Sequence, residues 1–120
     1  MPGTILEHAD DLLWQLDIPA GVDPGRPGIL EWRIEGVGSY IVRAIALARA
    51  IRQYEDSVWR LGQGLPHRVG SYRDIHRILR KAADQGRSVT VVALETCEAA
   101  ELPARKRHWV ALRGSLNGRD

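Results

Sequence analysis

Apolar side chains recur along this chain with two different periods, and the switches between them divide it into elements. From Glu7 to Asp17 an acidic start is followed by Leu12, Leu13, Trp14 and Leu16, the pattern of a short amphipathic helix. Residues 18–27 hold three prolines and two glycines, which exclude both helix and ladder pairing and mark a linker. Ile29, Leu30, Trp32 and Ile34 then alternate with Glu31 and Arg33, as in a half-exposed strand. Glu35-Gly36-Val37-Gly38 supplies turn glycines and Ser39 to Val42 returns as a second strand, so a β-hairpin is expected.

Beyond the hairpin the period changes. Leu47, Ile51, Tyr54, Val58 and Leu61 follow one another at +4, +3, +4 and +3, the stripe of a helix from about Ala44 to Leu61. Residues 62–70 form a loop. Ser71 is expected to cap a second helix with Tyr72, Ile75, Leu79 and Ala82 on one face, ended by Gly86. Ser88 to Leu94 is a β-branched strand apolar enough for the middle of a sheet. A last helix spans Leu102 to Arg113, opened by Pro103. The expected fold is therefore α/β (α+β), with a three-stranded, mainly antiparallel sheet flanked by helices. Its order is ββααβα behind a short N-terminal helical arm. Residues 1–26 form the arm and linker, and 27–120 the domain.

Length and composition fit that reading. With 120 residues, 44% hydrophobic and 27% charged, the chain suits one globular domain. No apolar run approaches a membrane span, and the acidic start does not resemble a signal peptide, so no membrane partner is expected. The single cysteine, Cys97, permits no internal disulfide and suits a cytoplasmic location; at the end of an apolar strand it is expected to pack in the core.

Charge changes the picture more. Residues 1–42 carry two arginines against seven acids, whereas residues 43–87 carry nine arginines and Lys81 against four acids. An arginine-rich middle favours phosphate, because the guanidinium fork matches phosphate oxygens in pairs. The candidate nucleic-acid-binding residues are Arg43, Arg49, Arg52, Arg73, Arg77, Arg80 and Lys81. Of these, Arg73, Arg77, Arg80 and Lys81 share one helix face by spacing. Arg105, Lys106 and Arg107 extend the surface as a secondary set. The four histidines show no shared spacing, and His76, between Ile75 and Arg77, is expected on the exposed side of its helix. No Cys/His pattern has zinc spacing, and the glycines of the 62–66 loop lack the lysine of a phosphate-binding loop. The four tryptophans are expected in the core or at edges.

Three stretches carry a family resemblance: Pro27-Gly28-Ile29-Leu30, then Ser39-Tyr40-Ile41-Val42-Arg43-Ala44, and Ser115-Leu116-Asn117-Gly118. With the intervening helices they resemble, over residues 27–118, the GIY-YIG nuclease superfamily, small α/β domains that cut DNA at a tyrosine-centred metal site. The resemblance implies Tyr40 and Asn117 as remnants of that site. It also shows what is replaced. Leu30 stands where the first tyrosine would help activate water, and Val42 where a glycine lets backbone approach. The phosphate-clamping arginine falls on Ala50. The metal-holding glutamate falls among Ala104, Arg105 and Lys106, where a cation would repel a divalent ion. Glu101 or Glu98 could hold metal only if the last helix were re-registered.

Three functions follow as expectations. The first is a catalytically inactive GIY-YIG-like domain that binds DNA or structured nucleic acid through its arginine face, with no cofactor. The second is a divergent endonuclease using Glu101 or Glu98 with a divalent metal such as Mg²⁺. The third is a protein-interaction module, for example a phage or mobile-element factor docking on a nuclease or defence complex.

Overall fold

A computed structural model describes residues 14–117 together with Leu12. Four strands form one sheet in the order β1-β4-β2-β3: β1 (Trp14–Asp17), β2 (Gly28–Ile34), β3 (Gly38–Ala44) and β4 (Val89–Thr96). Among the described residues three helices accompany it, α1 (Leu47–Gly62), α2 (Asp74–Asp84) and α3 (Leu102–Arg113), with a short 3₁₀ turn at Ala99–Glu101 before α3. The hairpin β2–β3 and the pair β2–β4 are antiparallel, as expected.

The sheet has four strands rather than three. Where a helix was expected up to Asp17, Trp14–Asp17 runs parallel to β4, with Trp14 opposite Val89 and Asp17 opposite Val92. Trp14 and Leu16 point into the core while Gln15 and Asp17 are exposed. That alternation satisfies a strand's period of two, and the long-range partner decides in its favour. The part of the expected arm at residues 1–11 and Leu13 lies outside the described residues, as do residues 118–120.

Strand alternation sorts the core into two layers. Leu30, Trp32, Ile34, Tyr40, Val42, Val89, Val91 and Ala93 face α1 and α2, meeting Leu47, Ile51, Tyr54 and Val58 of α1 and Ile75, Leu79 and Ala82 of α2. Ile29 and Ile41 face the other way, against Leu102, Trp109 and Val110 of α3, with Cys97 packed alongside. Burial and the nearby Glu95 carboxylate push the Cys97 thiol up from its ordinary value. Because helices lie on both faces, β2 is buried on both. Glu31, expected on a solvent face, is fully buried, its carboxylate held by Arg33 (2.9 Å) and Arg113 (2.9 Å).

Local chemistry sets the element ends. A Cβ at Gly28 would collide with the Glu95 backbone carbonyl oxygen, so only glycine lets β2 and β4 approach here. The hairpin turns at Gly36, whose φ of 74° is in the left-handed region. The linker ends as a cap: Leu47 and Ala48 donate their N–H groups to the carbonyls of Arg26 (3.0 Å) and Pro24 (2.8 Å), which satisfies the first turn of α1. The cap of α2 is Arg73 rather than Ser71. The Arg73 N–H donates to His76 Nδ1 (2.9 Å), the imidazole taking the place that a capping-box glutamate usually fills.

Candidate nucleic-acid interface

The outer edge of β3 is where the predicted site residues converge. Beyond α3 the chain returns along this edge, Leu116 donating its N–H to Ser39 O (2.9 Å) and Ser115 Oγ accepting from the Ser39 N–H (3.0 Å). Asn117 completes the pairing. Its Oδ1 accepts from the Ile41 N–H (2.7 Å), and its Nδ2 donates to the Ile41 carbonyl (2.9 Å). The side chain acts as one more residue of strand, and it is almost fully buried.

A cleft of about 880 Å³ opens beside this edge. Tyr40, Val42 and Arg43 of β3 form its floor with Asn117. One wall is built by Tyr54 of α1 with Arg73 and Asp74 at the start of α2, the other by α3 through Pro103, Lys106, Arg107, Val110 and Ala111. Among the described residues its ionic lining is four cations, Arg43, Arg73, Lys106 and Arg107, against the carboxylate of Asp74. Arg73 is anchored within the wall: it donates to the Tyr54 hydroxyl, and its guanidinium carbon lies 5.6 Å from the centre of that ring. Four cations against one acid, among the described residues, give the cleft an excess of positive charge that favours anions.

The sequence-predicted residues divide accordingly. Tyr40, Asn117, Arg43 and Arg73 come together in the cleft. Arg49, Arg52, Arg77 and Lys81 are exposed but lie outside its lining. Arg77 donates to the Tyr72 carbonyl (2.9 Å). Arg80 serves the fold, paired with Asp84 (2.8 Å) and packed over Gly62. The secondary set also splits. Lys106 and Arg107 face the cleft, while Arg105 pairs with Glu95 (2.7 Å), which also accepts from the Trp109 indole (2.6 Å). Tyr54 belonged to the helical stripe, and its place in the cleft wall was not foreseen. Position cannot show it; only the meeting of α1 with the cap of α2 does.

Two positions to which the resemblance would assign chemistry hold packing residues. Leu30 is fully buried opposite Val42, and Ala50 is half-buried. Neither acid considered for metal lines the cleft. Glu98 pairs with Arg26 (2.8 Å), and Glu101 accepts from the Glu98 N–H (2.9 Å), capping the 3₁₀ turn. Among the described residues no three His, Cys, Asp or Glu side chains gather as a metal-binding group. A divalent ion does not suit a lining of one carboxylate and four cations. No helix among the described residues is long and apolar enough to cross a membrane.

His76, too, lies elsewhere than expected. It is buried rather than exposed, because the face it shares with the cap of α2 turns toward Tyr54, their ring centres 5.4 Å apart. Burial, with Arg73, His67 and Arg77 nearby, lowers its pKa from 6.5 to about 4. The ring is therefore neutral and free to accept the Arg73 N–H.

Compared with protein-family models, curated proteins and solved structures, the chain matches none.

Proposed function

We propose that this chain is a nucleic-acid-binding domain of GIY-YIG-like descent that holds a phosphodiester backbone in the cleft between β3, the start of α2 and α3, without cutting it. The observation that carries the reading is the convergence of Arg43, Arg73, Lys106 and Arg107 on one concave surface with Tyr40 and Asn117. Phosphate binding by these groups releases condensed counterions, which favours association at low salt. Arg73, held by Tyr54, loses little side-chain freedom when it meets a phosphate. Supporting the absence of cleavage, the lining offers no acidic cluster to hold a divalent ion against those cations. Of the expected set Arg43 and Arg73 belong to this reading, joined by Lys106 and Arg107 of the secondary set, while Arg49, Arg52, Arg77, Arg80 and Lys81 lie outside the cleft lining.

The test is fluorescence anisotropy on duplex, branched and single-stranded DNA across a salt series. With four cations engaged, affinity should fall roughly a hundredfold between about 50 and about 200 mM salt. Binding no tighter than micromolar at the lower salt on every substrate would refute the reading and leave an acidic protein surface as the partner for the cleft.

A further inference from the structure

A second hollow of about 310 Å³ adjoins the cationic cleft, and Tyr54 and Arg73 line both. Its chemistry differs from its neighbour's. The rings of Tyr54, His67 and His76 contribute aromatic walls, Gln53 and Ser57 of α1 contribute an amide and a hydroxyl, and Val69 and the paired charges of Arg68 and Asp56 complete the lining. This is a mixed set of hydrogen-bond donors and acceptors with flat apolar surface, where the cleft is dominated by positive charge.

The walls are held in place. His67 Nε2 lies 3.1 Å from Ser57 Oγ, and the ring sits 5.0 Å from His76 and edge-on to Tyr72 at 4.9 Å. The loop that carries it is pinned to α1 on both sides, by Arg60 donating to the Pro66 carbonyl (2.9 Å) and by the Arg68–Asp56 ion pair (2.8 Å). A fixed aromatic surface loses little entropy when another ring stacks on it.

We propose that this hollow receives a single unpaired nucleobase while Arg73, on the shared wall, holds a phosphate of the same strand. The proposal rests on the nucleic-acid reading above and adds to it the class of substrate: a strand with a base out of its stack. A nucleotide joins a charged phosphate to a flat heterocycle through one sugar, so its recognition needs a cationic and an aromatic, hydrogen-bonding site side by side. A base within a duplex has its pairing edge occupied and both faces covered, and the hollow has room for one heterocycle and not for a paired stack. Stacking tolerates any base, whereas the amide of Gln53, at an exposed position, can read the exposed edge.

Two duplexes of equal length, one perfect and one with a single bulged 2-aminopurine, test this. The bulged duplex should bind about tenfold tighter, within the range that stacking of one base on an aromatic side chain supplies. The 2-aminopurine emission should fall as the ring stacks. His67→Ala should bring the two affinities close together while leaving the perfect duplex unaffected and the emission unquenched. Gln53→Ala, at an exposed position, should narrow the preference and serves if the histidine variant does not fold. Equal affinity for both duplexes with unchanged emission would overturn the base pocket and leave the cleft reading standing. A preference retained in both variants would also overturn it. Failure of both duplexes to bind at low salt would overturn the two readings together.

Discussion

Asn117 pairs its carboxamide with both backbone groups of Ile41, at 2.7 Å and 2.9 Å, and so seals the outer edge of β3 where it borders the cleft. A resemblance to a catalytic asparagine marked this residue in the sequence, yet its visible work is to fix the strand that carries Tyr40, Val42 and Arg43. Asn117→Ala leaves a donor and an acceptor of Ile41 unmatched near the core, and should cost about 1–3 kcal/mol. Urea denaturation measures it. An unchanged midpoint would show that the pairing contributes nothing to stability.

The strand at Trp14–Asp17 extends the sheet beside β4 and should stabilise it. Trp14 is buried, 4.8 Å from Trp32 between ring centres. Trp14→Ala should lower stability by about 3–5 kcal/mol, as for other large-to-small changes in a core. A loss below about 1 kcal/mol would mean that residues 14–17 are peripheral to the folded unit.

His76 makes stability depend on pH in a defined window. The folded ring resists protonation until about pH 4, whereas the unfolded ring takes a proton near 6.5. The unfolded state therefore binds more protons between those values, and stability falls as pH drops through the window, being complete above it. In His76→Asn, which keeps an acceptor for the Arg73 N–H, the fall between about pH 7 and about pH 4.5 should be smaller than in the wild type. Equal falls in both proteins would assign the pH dependence to the carboxylates.

Metal should be irrelevant to binding. Affinity for DNA is expected to be the same in EDTA and in Mg²⁺, and plasmid and branched DNA should remain intact in Mg²⁺ and in Mn²⁺. Metal-dependent nicking that Glu101→Ala abolishes would instead assign a metal-holding role to a residue that here caps a 3₁₀ turn.

The sequence disclosed local features well. The hairpin, the stripes of α1 and α2 and the proline that opens α3 were all legible, because each is written in neighbouring residues. What it hid was set by distant partners. Trp14-Gln-Leu-Asp fits a helix or a strand until Val89–Val92 is beside it. Glu31 alternates like a solvent residue until α3 covers it with Arg113. The arginines show the same division: spacing placed Arg73, Arg77, Arg80 and Lys81 together, but the cap of α2 turned Arg73 toward the cleft and the Asp84 pair drew Arg80 away. The resemblance to a nuclease pointed to Tyr40 and Asn117, which do share the cleft, and Lys106 and Arg107 join them only because α3 crosses that edge.

The proposed function requires that the cleft, and not the exposed face of α2, binds the phosphate backbone. Salt-dependent anisotropy on one duplex compares Lys106→Ala/Arg107→Ala with Arg77→Ala/Lys81→Ala. The cleft pair should weaken binding at least tenfold at low salt and lower the salt slope by about two, while the α2 pair changes both only slightly. A larger loss from the α2 pair than from the cleft pair would contradict the claim.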